Sequence, residues 1–398
     1  MLSQMRGPLF QEVSDPTQPT SSGTGTRSTA AEVHQSYLSL FESVLKRAIQ
    51  REASDIFIAP NFPISLEVKR KLEPAFESYT LDAAGTAAIL SAIKEVDPRR
   101  CQHINREIEQ NGQTDFSWAY NDGEFRGRFR VNVGLASGAY TFVARLLPER
   151  IKPFSELNLP SQLLQLAGSH SGLIIIAGQV GSGKSTTAAS LIDHYAKTQT
   201  GHIVTIENPI EFKIKHGQSI VTQREVGSDV PDFAEGLRGA LRQRPKVILI
   251  GEMRDTETME TALTAAETGS LVISTLHTRD VAHTIQRILS AFPDGPKQTS
   301  IRASLADSIL CVCCQQLIPN TKEGVTLAHE FLVFDHPVRT LLREGKEAQL
   351  VNNFKVKNGD QRLDDHLKRL VLSGDISYEE GHRHAIRKNE FAVGFGKS

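Results

Sequence analysis

The stretch "GQVGSGKST", which begins at Gly178, constrains the fold more than any other part of the sequence. It matches the pattern G-x-x-x-x-G-K-[ST] and lies between an apolar run, "GLIIIAG", and a predicted helix that begins at Lys184. The glycines allow backbone N–H groups to curve around phosphate oxygens, and the helix N-terminus favours an anion. A glycine-rich turn without a ligand is the alternative, and the complete motif in this setting argues against it. The predicted phosphate-binding residues are Gly178, Gln179, Val180, Gly181, Ser182, Gly183, Lys184, Ser185 and Thr186.

This motif also predicts the ligand chemistry. The ammonium group of Lys184 would lie against the β- and γ-phosphates, and the hydroxyl of Ser185 would bind magnesium. The expected ligands are therefore ATP and Mg²⁺.

Strands and helices alternate on both sides of the motif. The apolar runs "GLIIIAG", "HIVTIE", "VILIG" and "LVISTLH" are continuous, as in a parallel sheet that is covered on both faces. Helices are expected from Lys184, near 232–243 and near 256–268, and the chain from about 280 is expected to be mostly helical. The sequence therefore predicts an α/β domain with a mainly parallel sheet.

The N-terminal part has a different organisation. Residues 1–33 are rich in Ser, Thr, Pro and Gly, which predicts a flexible tail. Residues 34–149 show one amphipathic helix from about Tyr37, a second helical stretch at 81–109 and several short strands, which predicts a smaller α+β domain. The proline-containing residues 150–160 are interpreted as a linker to the larger domain, 161–398.

The strand "VILIGEMRD" has an unusual end. Many nucleotide hydrolases have an Asp at the position of Gly251, where it helps to hold magnesium, and here Glu252 follows alone. A second acid, Glu207, ends the strand in "TIENPIEF", and Glu211 lies one loop further. Because ligands bind at the carboxyl ends of parallel strands, we expect Glu207 to supply the missing acid, as a catalytic residue or as a second candidate metal ligand. The alternative is that Glu207 is a solvated acid at a strand end.

A histidine ends a fourth strand. His277 in "STLHT" would also lie at the carboxyl edge of the sheet. A lone histidine is more often structural than functional. Its position nevertheless favours contact with the γ-phosphate.

Composition excludes several other classes of protein. The 45 basic and 46 acidic residues nearly cancel, which disfavours a generic nucleic-acid binder. No apolar stretch approaches the length of a membrane span or a signal peptide, so the expected location is cytoplasmic. Three of the four cysteines form "CVCC", which lacks the paired spacing of a zinc site. They are predicted to be small buried helix residues, with a metal or redox cluster as the alternative.

Several of these motifs occur together in one known family. "GQVGSGKSTT", "TIENPIEF", "VILIGEMRD", "ALTAAETG" and "STLHT", in this order, resemble the secretion ATPases of type II and type IV machines, in particular the PilT-like retraction ATPases. The stretches "VPDFAEGLRGALRQRP" and "QQLIPNTKEGVTLAHEFLVFDHPVRTLLREG" resemble the DotB-like ATPases of type IVB secretion and conjugation. One departure is Asn208 in the acidic box, where the family often has Asp.

The resemblance implies a fold and an assembly. It implies a RecA-like ATPase domain preceded by a PAS-like domain, with nucleotide between the two, and a homohexamer that drives an inner-membrane platform of a pilus, secretion or conjugation machine. Direct nucleic-acid binding is not expected. Glu252 is expected to polarise the attacking water, supported by Glu207.

The resemblance also gives a role to an arginine-rich strand. In "EFRGRFRVNV", Phe and Val alternate with arginines, so the arginines share one face. In similar proteins, arginines of this strand and the next reach the γ-phosphate, which makes Arg128, Arg130 and Arg145 candidates and Arg126 a weaker one. A solvated edge strand is the alternative.

Two other functions remain open at this point. A RecA-like nucleic-acid motor would share the phosphate motif, and DNA-stimulated turnover would favour it. A non-hydrolysing nucleotide-binding subunit of a secretion machine would show no turnover even as a hexamer.

Overall fold

The computed structural model describes residues 30–69, 71–76, 79–355 and 358–396. The chain divides into two compact units, Met1–Leu146 and Leu147–Ser398. Most of the predicted tail, residues 1–29, lies outside the described residues, and the first helix begins at Ala30, before the predicted end of the tail.

The first unit is a mixed α/β fold with an antiparallel sheet. Helix α1 buries Phe41, Val44 and Leu45, which confirms the amphipathic helix that the apolar spacing predicts. The strand order is β3-β2-β1-β6-β5-β4. The elements are α1 (Ala30–Gln50), β1 (Asp55–Ile58), β2 (Ser65–Val68), β3 (Lys71–Pro74), α2 (Ala83–Val96), α3 (Pro98–Asn111), β4 (Gln113–Asn121), β5 (Arg126–Ala136) and β6 (Ala139–Leu147).

The second unit alternates strands and helices around a mainly parallel sheet. Its elements begin with a 3₁₀ turn (Phe154–Glu156), α4 (Ser161–Leu166), β7 (Gly172–Gly178), α5 (Lys184–Thr198), β8 (Gly201–Glu207), β9 (Ser219–Glu225), α6 (Phe233–Leu241), β10 (Val247–Ile250), α7 (Thr256–Glu267) and β11 (Leu271–Leu276). They continue with α8 (Val281–Leu289), α9 (Pro296–Ser308), β12 (Ile309–Pro319), β13 (Val325–Val333), α10 (His336–Arg343), a 3₁₀ helix (Glu347–Asn352), α11 (Leu363–Leu372), α12 (Tyr378–His384) and α13 (Lys388–Val393).

The sheet of the second unit separates two cores. The strand order is β13-β12-β7-β11-β10-β8-β9, with parallel pairing from β12 through to β9 and an antiparallel β13 at one edge. Leu173 and Ile175 of β7 pack into one core, while Ile174 and Ile176 pack into the other. Both faces are therefore covered, which is why these strands are continuous apolar runs. The predicted α/β fold class, with a mainly parallel sheet in the larger unit and a smaller unit with its own sheet, is confirmed.

The cysteine prediction is half wrong. Cys311, Cys313 and Cys314 lie on strand β12, not on a helix, and the chain beyond residue 280 contains a strand pair besides its helices. A short apolar run has no periodicity that separates a buried strand from a buried helix. All three side chains are buried as free thiols, and burial raises the pKa of Cys313 to about 12.

The parts of the chain that the structure describes include no helix with both the length and the hydrophobicity that crossing a bilayer requires.

Candidate active site

The glycine-rich loop joins β7 to α5 and has the backbone that its sequence predicts. Gly178, Gly181 and Gly183 have φ angles of 149°, 78° and 89°, which residues with a Cβ rarely adopt. At Gly178 the space is also too small, because a Cβ would lie 2.4 Å from the Ser182 hydroxyl and 2.5 Å from the Gln315 carbonyl oxygen. The loop therefore requires glycine, and it places backbone N–H groups at the N-terminus of α5.

Lys184, the first residue of α5, points back into this loop. Its Nζ donates hydrogen bonds of 2.9 Å to the carbonyl oxygens of Gly178 and of Gln179. Burial lowers the pKa of the Lys184 ammonium, while the negative charges of Glu252 and Glu211 oppose that shift. The ammonium group is thus held at the mouth of the loop, with two carboxylates close enough to act on it.

Three further charged or titratable side chains extend from Lys184 in a chain of contacts. Its Nζ lies 3.4 Å from Nδ1 of His277. The other ring nitrogen, Nε2, lies 3.6 Å from Oε1 of Glu252, and Arg254 donates from Nε to Oε2 of Glu252 at 2.7 Å. We call these four residues the catalytic cluster. It brings Lys184, Glu252 and His277 together, as the sequence predicts, and it adds Arg254, to which the sequence analysis gave no role.

The surroundings of His277 favour the neutral form of its imidazole. Burial lowers the pKa of its imidazole, and the charge of Lys184 lowers it further, while Glu252 opposes both effects. A neutral imidazole has one N–H donor and one acceptor nitrogen. The neutral form of His277 thus offers one N–H donor without adding a full charge, and the backbone of Gly178 is one of its hydrogen-bond partners.

Sheet order explains why these residues meet. From β7 outward the sheet continues through β11, β10 and β8. The residues that follow those four strands are the loop 179–183, His277, the Gly251–Glu252 pair and Asn208, directly after Glu207. Because parallel strands end at the same edge, four distant segments converge on one crevice.

The space around Gly251 explains why strand β10 is not followed by an aspartate. Its N–H donates to the carbonyl oxygen of Ile206 at 2.8 Å. A Cβ on Gly251 would lie 3.2 Å from that oxygen and 3.3 Å from Cα of Glu207, which is tighter than ordinary van der Waals contact. An aspartate at this position would press against the strand that carries Glu207, so the glycine allows β8 and β10 to approach closely.

Glu207 itself is held at the end of β8. Its Oε1 accepts hydrogen bonds from the Thr205 hydroxyl at 2.7 Å and from Nε2 of Gln223 at 3.1 Å. Glu211, in the loop that follows, is one of the two acids whose charge raises the pKa of Lys184. The sequence pattern indicates both acids as candidates. That Glu207 is the second acid of the site stays a prediction.

The donor set at this edge fits magnesium. Ser185 follows Lys184 in the first turn of α5, and hydroxyl and carboxylate oxygens are the ligands that Mg²⁺ prefers. Within the described residues, no group of three or more His, Cys, Asp or Glu side chains is arranged to hold a metal. Magnesium usually needs only one or two protein ligands when it also binds phosphates. Ser185 and Glu207 remain the candidate ligands.

An open pocket of about 860 Å³ adjoins the loop. Besides the loop and His277 it involves helix α8, a surface that the sequence analysis missed because nothing in the residue pattern separates it from an ordinary amphipathic helix. The lining residues are Gln179, Val180, His277, Thr278, Arg279, His283, Gln286, Arg287 and Ser290.

The arginine-rich strand has the predicted alternation. Phe129 and Val131 of β5 are buried, while Arg130 between them is partly exposed. Arg130 pairs with Asp115 at 3.1 Å, and Arg145 of β6 pairs at 2.8 Å with Asp55, whose side chain is 8% exposed. Arg126 and Arg128 lie on the same face of β5 and have partners too. All four arginines belong to the first unit, and their role toward a nucleotide stays a prediction.

Comparisons with known proteins identify the family of the chain. Residues 30–383 match the family model described as type II/IV secretion system protein. The type IV pilus retractation ATPase PilT of Pseudomonas aeruginosa is 40% identical over 284 residues, which cover 70% of this chain and 81% of that protein.

Two solved structures have the same fold. The pilus retraction motor PilT with bound ADP is 37% identical, with a TM-score of 0.77 over 88% of this chain and 98% of that one. The Legionella pneumophila ATPase DotB is 28% identical, with a TM-score of 0.74 over 94% of this chain and 98% of that one.

Proposed function

The chain belongs to the type II/IV secretion system protein family and is an ATPase, and from this premise we propose that it works as a hexamer that converts ATP hydrolysis into domain motion. That motion powers a type IV pilus, a type IVB secretion system or a conjugation machine. The hexamer acts from the cytoplasmic side on an inner-membrane platform. The support is the similarity to both PilT and DotB.

The catalytic cluster is the observation that best supports ATP hydrolysis. The glycine-rich loop and Lys184 bind the phosphates, with Ser185 as the magnesium ligand. Magnesium, when bound, neutralises charge that develops on the β- and γ-phosphate oxygens. Glu252, whose side chain is 18% exposed, is held between Arg254 and His277 at the phosphate end of the crevice.

Glu252 has the properties of the group that activates water. Its carboxylate accepts the proton as the water oxygen bonds to the γ-phosphorus and the bond to the β-phosphate oxygen breaks. The products are ADP and inorganic phosphate. His277 donates to a phosphate oxygen, and Lys184 stabilises the charge that builds up between the β- and γ-phosphates.

The test is the substitution Glu252→Gln, measured in steady-state ATP hydrolysis and in equilibrium binding of ATP. An amide cannot accept the proton, so kcat should fall roughly 10²- to 10⁴-fold while ATP binding is retained. Glu267→Gln, an exposed glutamate of α7, is the matched control and should be silent. Wild-type turnover in Glu252→Gln would contradict the assignment.

The machine is identified by a genetic test in the host. A chromosomal Glu252→Gln allele should abolish pilus retraction, DNA transfer or protein secretion, and the lost activity names the machine. The hexamer is tested by native mass measurement of the purified protein with and without nucleotide. A protein that stays monomeric under all these conditions would refute the proposed assembly.

A further inference from the structure

Strand β13 places a buried carboxylate where two helices begin. Glu330 is 5% exposed, and its Oε1 accepts a hydrogen bond of 2.8 Å from the backbone N–H of Val281, the first residue of α8. The backbone N–H of Leu363, the first residue of α11, also hydrogen-bonds to this carboxylate. A single side chain thus satisfies one free N–H group at each of two helix N-termini.

Helix α8 is the continuation of the loop that carries His277. The helix is capped by Asp280, whose carboxylate accepts from the backbone N–H of His283 at 2.8 Å. The hydroxyl of Thr284 donates to the backbone carbonyl of Asp280 at 2.7 Å and lies 2.6 Å from the hydroxyl of Thr278. Residues 278–284 are therefore joined by hydrogen bonds, and His277 directly precedes them in the chain.

Helix α11 depends on Glu330 in a different way. Its N-cap residue, Arg362, makes no side-chain capping hydrogen bond. The carboxylate of Glu330 supplies an acceptor and a negative charge at this end of the helix, both of which are stabilising there.

We propose that Glu330 is a positioning residue for ATP hydrolysis, which holds the start of α8, and with it the His277 loop, against the start of α11. The inference rests on the ATPase function proposed above. Glu330 does not touch the nucleotide in this scheme and acts through Val281 and the loop. The C-terminal helices and the catalytic cluster are thereby linked through one carboxylate.

Charge makes this link sensitive to pH. Burial raises the pKa of Glu330 to about 7, the nearby charges of Asp280 and Asp364 raise it as well, and the two backbone N–H groups oppose them. Cys314 of β12 also faces it, and its pKa is raised chiefly by burial and further by Glu330. The other charged or titratable side chains around the adjoining cavity of about 230 Å³ are Arg279, His283, Arg362, Asp365, Lys368, Arg387 and Glu390.

The two protonation states differ in what they can hold. Above the pKa, the ionised carboxylate accepts from both N–H groups as a charged acceptor, so it holds both helix starts. Below it, one oxygen becomes an O–H donor and can no longer accept an N–H in the same way. Turnover should therefore fall as the pH drops through about 7. Burial and the charge of Lys184 lower the pKa of His277 from its ordinary value.

The first measurement is hydrogen exchange in the full-length protein, with Glu330→Gln compared to wild type at one pH. A glutamine is neutral and replaces one carboxylate oxygen with an NH₂ donor, so it holds the two N–H groups less strongly and exchange should rise in the peptides that contain Val281 and Leu363. Glu390→Gln is the matched control, because Glu390 lines the same cavity and its side chain is 69% exposed. Unchanged exchange at both helix starts overturns the proposal, and so does a rise throughout the second unit, which indicates general destabilisation.

The second measurement is the pH profile of kcat and of KM for ATP. In wild type, kcat should fall between about pH 8 and pH 6, and in Glu330→Gln it should be roughly threefold to tenfold lower at pH 8 with that slope removed. KM should change less than kcat, because the phosphate loop is untouched. A variant that keeps the wild-type slope overturns the proposal.

Failures of the two proposals can be told apart. If wild-type protein hydrolyses no ATP, the proposed function fails, while hydrogen exchange still decides whether Glu330 holds the two helices. If Glu330→Gln does not fold, Asp364→Asn replaces it, because removing this neighbouring charge lowers the pKa of Glu330. The decline of kcat should then move to lower pH, and an unmoved decline overturns the inference.

Discussion

At the scale of single residues, the chemistry depends on which carboxylates lie near the ammonium group of Lys184. Glu252 is one of them, held by Arg254 and His277. The other acid whose charge acts on Lys184 is Glu211. The contacts of Glu252 therefore define its position in the site. The second acid is either Glu207 or Glu211, which lie four residues apart in the chain.

Glu207→Gln and Glu211→Gln distinguish those two acids. If Glu207 supports the metal, Glu207→Gln should raise the magnesium concentration for half-maximal hydrolysis by roughly threefold to tenfold, since a neutral amide is a weaker ligand for a hard cation. Glu211→Gln should leave the magnesium dependence unchanged and alter ATP binding slightly, through Lys184. Titrations of magnesium at saturating ATP check this. The reverse pattern would assign the second acid to Glu211.

At the scale of elements, the structure shows which local sequence patterns are sufficient to predict a helix, strand or loop. The loop before α5 requires glycine for local backbone reasons, so nine residues were enough to predict it. The alternation of β5 was predicted for the same reason, because side chains of a strand point to opposite faces. Strand β12 was mistaken for a helix because a short apolar run is compatible with both.

Contacts between distant elements were beyond the sequence. Nothing in "VILIGEMRD" indicates that Arg254 folds back onto Glu252, and nothing in "LAHEFL" indicates that Glu330 meets two helix starts. Asp55 lies 90 residues before Arg145, and the two pair because β1 and β6 are neighbours in the sheet. Such partners depend on strand order, which local patterns do not specify.

The arginine face of β5 and β6 yields the next prediction. If Arg130 and Arg145 stabilise charge on the γ-phosphate, alanine at either position should lower kcat at least about tenfold, with a smaller change in ATP affinity. Lysine should restore little, because its ammonium lacks the planar fork that grips phosphate oxygens. Steady-state kinetics with ATP binding measured in parallel check both points.

The ion pair of Arg145 requires its own control. Asp55→Asn removes the charge of the partner and keeps the guanidinium group. It should therefore lower the melting temperature and leave kcat near the wild-type value. If Asp55→Asn loses as much activity as Arg145→Ala, the ion pair matters for folding of the first unit and the catalytic role is refuted. If every arginine variant keeps near wild-type kcat, this face is a solvated surface.

At the scale of the whole molecule, the chain has separate hydrophobic cores in its two units. The first unit packs around Phe41, Phe129 and Phe142, and the second packs on the two faces of its sheet. The phosphate loop and the catalytic cluster belong to the second unit. A ligand that binds folded protein stabilises the cooperative unit to which it binds.

Thermal unfolding should therefore show two transitions, and Mg–ADP should raise the melting temperature of one. At a concentration 100 times its Kd, a ligand contributes about 2.7 kcal/mol, which corresponds to a shift of roughly 5–10 °C for a unit of this size. Differential scanning calorimetry of the full chain measures it, with ADP in place of ATP so that the ligand is not consumed. Lys184→Ala should lose most of the shift because the phosphates lose their main cation, whereas Lys322→Ala, at an exposed position of the same unit, should keep it. Equal shifts in both transitions, or an unchanged shift in Lys184→Ala, would show that the nucleotide is not held by the second unit through this loop.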